Sequence, residues 1–286
     1  MHKINKTTPD ESEFLQITKN IANYPKRLWL LGKLPQTRIP TIAIVGTRRP
    51  SPYGKEIGYR LAYELASRGV VVVSGLALGI DAIAHQAALD AGGTTIAVLP
   101  SSVTEIYPAS HRKLAQRIME SGGALLSEYE PGTTTYPANF IARNRIVSGI
   151  SDGLLVVEAA AKSGTMHTAG FALEQGKPVM AVPGNITNPM SEGCNNLIKM
   201  GARPITDVSD ILHELGLTEP KNQATLPIGN TAEEQAILTL IASGTRDGIE
   251  LQVQSKLTPA AFSQTLTMLE VTGKIRALGG NQWTLR

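Results

Sequence analysis

The chain has little cysteine, few aromatic residues and no long hydrophobic run, and each scarcity excludes a class of protein. The one cysteine, Cys194, rules out an internal disulfide framework and a cysteine-rich zinc site. No stretch approaches the length of apolar chain needed to cross a bilayer, so a membrane span is not expected. No apolar run follows the first residues, so no secretory signal is expected, and the expected location is cytoplasmic. Nor is charge of one sign in excess: 27 Lys and Arg stand against 24 Asp and Glu, a net +3. Residues 1–40 carry seven basic and three acidic side chains, residues 41–219 carry 14 and 16, and residues 220–286 carry six and five. No segment is basic enough to hold a polyanion by charge alone. A nucleic-acid partner would need a local constellation.

Familiar catalytic signatures are scarce too. The turn after the first long apolar run is neither G-x-G-x-x-G nor a P-loop, so ordinary dinucleotide or ATP binding is not supported. There is no H-E-x-x-H and no paired metal-ligand spacing, and Cys194 has no histidine near it in sequence. No serine elbow, no catalytic residue, no metal and no cofactor are expected.

What is present is a globular composition, 42% hydrophobic and 18% charged over 286 residues, long enough for one or two domains. A short amphipathic helix is expected over 11–22, with Phe14, Ile17 and Ile21 on one face, then an extended, proline-containing lead-in over 24–40. From Thr41 a rhythm begins. Apolar runs at 41–45, 70–73, 94–99, 124–126, 154–157 and 178–182 alternate with helical patterns at 55–67, 80–91, 111–121, 138–149, 165–175 and 194–200. Runs that are apolar without alternation are strands covered on both faces. Their alternation with helices predicts a doubly wound (Rossmann-like), mostly parallel α/β sheet over 41–217. Residues 218–231 read as a polar linker. Three helical patterns (232–242, 249–256, 259–272) and a hairpin around Gly279-Gly280-Asn281 then predict a small winged-helix domain over 232–286.

Four stretches of the α/β region carry candidate chemistry. After the first strand, Gly46-Thr47-Arg48 with Gly54 near the next helix start is placed where doubly wound folds bind ligands, and a guanidinium suits phosphate. After the second, Ser74-Gly75 opens a tight loop to Asp81, a first-turn carboxylate, with His85 one turn on and expected to be structural. Ser163-Gly164-Thr165 opens another helix. Its serine is either a plain N-cap or, with the two neighbours, part of a phosphate cradle. Phe140, Arg143 and Asn144, at i, i+3 and i+4, share a helix face. They suit an unpaired base and its phosphate, or equally a core phenylalanine with surface arginines.

Taken together, these stretches resemble the DNA-processing protein A (DprA, or Smf) family. The resemblance rests on AIVGTR (43–48) with Tyr53-Gly54, SGLALGID (74–81) with His85, Tyr107-Pro108, LSEY (126–129) with Pro131-Gly132, Phe140 with RNRI (143–146), SGT (163–165) with Thr168-Ala169, and AVPG (181–184). It implies a non-enzymatic protein that binds single-stranded DNA, protects it during natural transformation, helps load the RecA recombinase, and dimerises through its α/β domain. It also implies that Arg48 and the residues around Phe140, Arg143 and Asn144 form the DNA pocket. With about 40 residues before the sheet, it further implies an N-terminal domain shorter than the family's usual one.

The competing reading is a nucleotide phosphoribohydrolase-like enzyme or small-nucleotide sensor. Such hydrolases carry P-G-G-x-G-T-x-x-E. Aligned on Gly164-Thr165, this chain has Ala161-Lys162-Ser163 for the Pro-Gly-Gly, and Thr168 replaces the acid/base glutamate. In the winged helix, the third helical pattern has no Lys or Arg and only Glu270 as a charge, so it is not expected to read duplex DNA.

Overall fold

The computed structural model describes residues 3–217 and 229–285. The chain divides into two compact units, Met1–Thr218 and Glu219–Arg286. The expected linker lies mostly outside the described residues; of it, only 229–231 are described, and there Thr231 caps the next helix.

In the first unit the strands are β1 (Asn5–Thr7), β2 (Leu28–Gly32), β3 (Thr41–Val45), β4 (Val71–Ser74), β5 (Thr95–Leu99), β6 (Ala124–Ser127), β7 (Gly153–Val156), β8 (Val179–Ala181) and β9 (Arg203–Pro204). The helices between them are α1 (Pro52–Ser67), α2 (Ile80–Asp90), α3 (Arg112–Glu120), α4 (Pro137–Ile150), α5 (Gly164–Glu174), α6 (Glu192–Lys199) and α7 (Val208–Glu214). The strands form one sheet in the order β1-β2-β6-β5-β4-β3-β7-β8-β9. From β3 to β9 all pairings are parallel, and β1 and β2 add antiparallel pairings at one side.

The apolar runs are buried on both faces. In β3, Ala43 and Val45 face a core with Ile146, Val147 and Ile150 of α4, while Ile42 and Ile44 face another with Leu61 and Leu65 of α1 and Ala84 of α2. That double cover removes the polar alternation of a half-exposed strand.

Two expectations for the N-terminal segment are corrected. The stretch 24–40 is not only a lead-in, because Leu28–Gly32 pairs with β6 and belongs to the sheet. Its antiparallel direction depends on a partner about a hundred residues away, which local pattern does not report. The expected helix over 11–22 is a 3-10 helix, Glu13–Asn20. With three residues per turn its buried face runs through Leu15, Thr18 and Ile21, next to Phe14, and Ile17 is left half-buried.

The second unit contains α8 (Ala232–Ala242), α9 (Gly248–Ser255), α10 (Pro259–Val271), β10 (Ile275–Gly279) and β11 (Gln282–Leu285). The helices close over Ile237, Leu238, Leu251, Leu269 and Ile275. The hairpin turns through Gly280 and Asn281, both at positive φ, the mirror-image turn that matches strand twist. This is the winged-helix pattern.

Candidate functional site

The sheet order reverses at β3. The chain runs outward from β3 through β4, β5 and β6, then returns to β7 on the other flank of β3. The loops leaving the carboxyl ends of β3 and β7 therefore diverge, and ligands of such sheets bind in the crevice this creates. A pocket of about 500 Å³ opens there. Its lining brings together Gly46, Thr47 and Arg48 after β3, Gly75 after β4, Phe140, Arg143 and Asn144 of α4, and Ser163, Gly164 and Thr165 at the start of α5. Ten of the expected site residues thus share one cavity, although they lie more than a hundred residues apart in sequence.

Two expected residues do not join it. Ser74 is fully buried and donates its hydroxyl to the Ile44 carbonyl at 2.6 Å, locking β4 to β3. Gly54 faces the chain's own carboxylate: a Cβ there would stand 2.1 Å from Glu158 Oε2. That oxygen accepts the Ser51 N–H at 2.8 Å, so the N-terminus of α1 is already served by an internal anion. Glu158 itself was missed. The available signal was a charged residue ending the apolar run Leu154–Val157.

The two arginines of the pocket differ. Arg48 is exposed and, among the described residues, makes no hydrogen bond; its guanidinium lies over the Phe140 ring at 5.9 Å. Arg143 is only 5% exposed. It donates to the carbonyls of Gly75 (2.6 Å) and Val98, and its Nε–H donates to Asn144 Oδ1 at 3.2 Å. The loop after β4 passes so close that a Cβ on Gly75 would sit 2.5 Å from the guanidinium. Burial brings Arg143 down to about 10, with the Asp81 carboxylate opposing, so it stays charged at neutral pH. The i, i+3, i+4 spacing is equally consistent with a core phenylalanine and surface arginines. The structure instead buries Arg143 and leaves Phe140 half-exposed.

Asp81 holds the same loop from the other side, accepting from the N–H groups of Gly75 (3.1 Å) and Ala77 (3.4 Å). Burial raises its pKa, against the pull of Arg143. His111 Nδ1 lies 2.8 Å from the Leu76 carbonyl, and Leu76 adopts φ 58°, a strained conformation for leucine. Three side chains thus over-determine the loop 74–79.

His85 is fully buried. Thr95 donates its only hydroxyl hydrogen to the Val72 carbonyl at 2.7 Å, so His85 Nδ1 carries a proton and donates it to Thr95 Oγ1 at 2.7 Å. Burial, with His111 and Arg143 nearby, pushes its pKa down to about 3. The ring is neutral and structural, as its sequence context suggested.

At the α5 N-terminus, Ser163 occupies the N-cap position but makes no capping hydrogen bond, and its buried hydroxyl has no partner. Thr165 Oγ1 donates to the Gly46 carbonyl at 3.0 Å, tying this turn to the loop after β3. A helix N-terminus with free N–H groups and an unengaged hydroxyl can receive an anion. The Ser163 side chain therefore does not cap the helix whose N-cap position it occupies.

Thr168, which by sequence stands where the competing motif has its glutamate, lines the pocket. One G-x-S-x-G spacing does occur, Gly149–Gly153, contrary to the expectation of no serine elbow. It runs from helix to strand rather than strand to helix. Its Ser151 is fully buried and donates to the Val147 carbonyl at 3.0 Å, so it is not a nucleophile elbow. Cys194 is buried, which pushes its thiol up to about 12. No group of His, Cys, Asp and Glu suited to a metal occurs among the described residues, and none of their helices is long and apolar enough to cross a membrane.

Known proteins resemble this chain over both of its units. The family profile for DNA recombination-mediator protein A matches residues 5–216, and that for the DprA winged helix domain matches residues 219–281. Protein Smf of Escherichia coli is 46% identical over 209 residues, covering 72% of this chain. The match spans 56% of that relative's length. Among solved structures, DNA processing protein A from Streptococcus pneumoniae superposes with a TM-score of 0.69 at 36% identity, covering 74% of each chain. A structure describing the single-stranded DNA binding mode of DNA processing protein A from Helicobacter pylori gives 0.66 at 34% identity, covering 75% of this chain and 96% of that one.

Proposed function

The chain belongs to the DNA recombination-mediator protein A family, and on that premise we propose that its switch-point pocket binds single-stranded DNA for recombination. The observation that carries the reading is the pairing, in one cavity, of an uncommitted arginine with an unengaged helix N-terminus. Arg48 and the Ser163–Thr165 turn offer donors to backbone phosphates. Phe140 and its surroundings offer a ring surface to bases, which are available for stacking only when unpaired. Arg143 shapes the pocket from behind, through the carbonyls it holds, and Asn144 steadies it.

A protein that covers single strands in this way can protect incoming DNA and hand it to the RecA recombinase during natural transformation. A homodimer through the α/β unit and a cytoplasmic location belong to the same proposal. The reading is that of a binder, supported by Thr168 in place of a carboxylate and by the engagement of Asp81 with its own loop. Fluorescence anisotropy with single-stranded and duplex oligonucleotides, beside a nucleotide-hydrolysis assay, tests it. The expected result is tight, salt-sensitive binding of single strands, weak binding of duplex and no hydrolysis. Equal affinity for the two DNA forms, or turnover of nucleoside monophosphate, would overturn it.

A further inference from the structure

Among the described residues Arg48 makes no hydrogen bond, so the direction in which it points is set first by its backbone. That backbone lies against the loop after β4. The Ile80 N–H donates to the Thr47 carbonyl at 3.2 Å. A Cβ on Gly79 would stand 2.2 Å from the Thr47 carbonyl oxygen and 2.8 Å from Arg48 Cα. Gly79 adopts φ 81°, so a residue without a side chain is what lets loop and turn meet this closely. The loop 74–79 is the bed on which Arg48 rests.

Most polar groups of that loop are held by residues near or in the pocket. The N–H groups of Gly75 and Ala77 go to Asp81, and the Gly75 carbonyl goes to Arg143. The Leu76 carbonyl goes elsewhere, to His111 at 2.8 Å. A carbonyl only accepts, so His111 Nδ1 carries the proton and donates it. Leu76 is the residue at φ 58°, and β4 has already ended at Ser74, so no strand ladder serves its carbonyl. Its side chain is fully buried beside Leu99, Ala115, Ile118 and Leu125, which anchors the residue but leaves the rotation of its peptide to the His111 bond. His111 is itself placed by the 3-10 turn Ala109–His111 that leads into α3, where its N–H donates to the Pro108 carbonyl at 3.0 Å. It does not line the pocket.

Given the single-strand reading above, on which this depends, we propose that His111 is a positioning residue for DNA binding. By holding the Leu76 carbonyl through Nδ1, it keeps the strained residue in place, and through Gly79 it fixes the backbone from which Arg48 meets phosphate. Without that bond Leu76 is free to leave the left-handed region, and the segment leading to Gly79 turns with it. His111 touches no nucleotide and acts through Arg48.

The test uses the full chain, single-stranded and duplex oligonucleotides, and three substitutions. Asn carries an N–H donor three bonds from Cα, as His Nδ1 is, whereas the Gln donor is four bonds away. His111→Asn is therefore expected to bind single strands like the parent. His111→Gln and His111→Leu are expected to bind about fivefold more weakly, a fraction of what a lost charge-assisted contact costs. Combined with Arg48→Ala, His111→Gln is expected to add no further loss, because the arginine it positions is gone. If the parent prefers single strands and a folded His111→Gln binds as it does, with or without a lower melting temperature, His111 is structural only and the single-strand reading stands. An equal loss in His111→Asn and His111→Gln would overturn the Nδ1 bond as the cause. A loss that persists in full beside Arg48→Ala would overturn the route through Arg48. A parent without preference for single strands removes both readings.

Discussion

In the α/β unit, charges are taken inside: Arg143 is 5% exposed and Glu158 2%, and the main bonds of each are to the chain's own backbone. The winged-helix unit differs in two ways. Ile249 and Val253 of α9 and Met268 and Val271 of α10 stand in solvent, Val271 at 76% exposure. Its buried carboxylate, Glu234, is neutralised by Lys274 at 3.0 Å. The difference follows from what each unit must hold in place. Loops beyond strand ends have no ladder to fix them, so the α/β unit pins them with buried charged side chains. A unit of this small size has a small core and leaves more apolar surface out. The proposed binding groups therefore lie in the first unit, whereas the third helix of the second has no Lys or Arg to neutralise a phosphate.

The sharpest way to break this contrast is Arg143→Ala. It leaves the carbonyls of Gly75 and Val98 without their donor and Asp81 without its compensating charge. The expected loss is about 3–5 kcal/mol, read as a drop of roughly 10 °C in the melting temperature of the α/β unit. An unchanged melt would show that the buried charge does not hold the loop.

Acid should act on the same unit. The unfolded chain protonates His85 below its ordinary value of 6.5, whereas the folded chain resists until about 3. Stability is therefore flat above 6.5 and falls as pH drops from there, by about 1.4 kcal/mol per pH unit. Asp81, raised by burial, works in the opposite direction, so the clean measurement is the difference between the parent and His85→Gln. The variant's stability is expected to decline less between pH 6.5 and 4. Parallel curves would show that the histidine does not enter the acid limb.

Arg48→Ala sharpens the distinction between the two arginines. It is expected to keep the parent melt but weaken single-strand binding by about 1.5–3 kcal/mol, with the salt slope reduced by about one. Arg143→Ala, by contrast, is expected to lower the melt and to leave the salt slope unchanged, because Arg143 holds carbonyls rather than a phosphate. The smallest effect is expected from deleting residues 225–286, which should leave most single-strand affinity in the α/β unit. Tight duplex binding by the isolated 225–286 fragment at physiological salt would dissolve the contrast between the units.

The six central strands could be read from sequence because parallel strands covered on both faces are uninterrupted apolar runs, as in Val71–Val73 and Thr95–Leu99. β2 could not, although LWLLG is as apolar, because a proline-flanked segment becomes a strand only when β1 and β6 are there to pair with it. β9 is a two-residue pairing with no pattern of its own. At the site, Arg48 and Ser163 stand out in the sequence because glycine, arginine and hydroxyl residues cluster just past strand ends, and Phe140 and Arg143 because their spacing puts them on one helix face. Their assignments were not. Nothing in F-x-x-R-N indicates which side chain faces inward, and Gly54 looks like any other glycine before a helix.

By itself, then, the order of apolar runs and turns determined a doubly wound sheet, a winged helix after it and the loops from which a site must be built. Local periodicity and turn chemistry are properties of neighbouring residues, and they survive without the rest of the chain. Only the tertiary structure decided that Arg143 is engaged with backbone carbonyls, that Glu158 fills the α1 N-terminus, and that Arg48 and Ser163 are left available. A donor's availability depends on which acceptors the fold brings within about 3 Å, and those acceptors, Gly75 and Val98 for Arg143, come from 68 and 45 residues away.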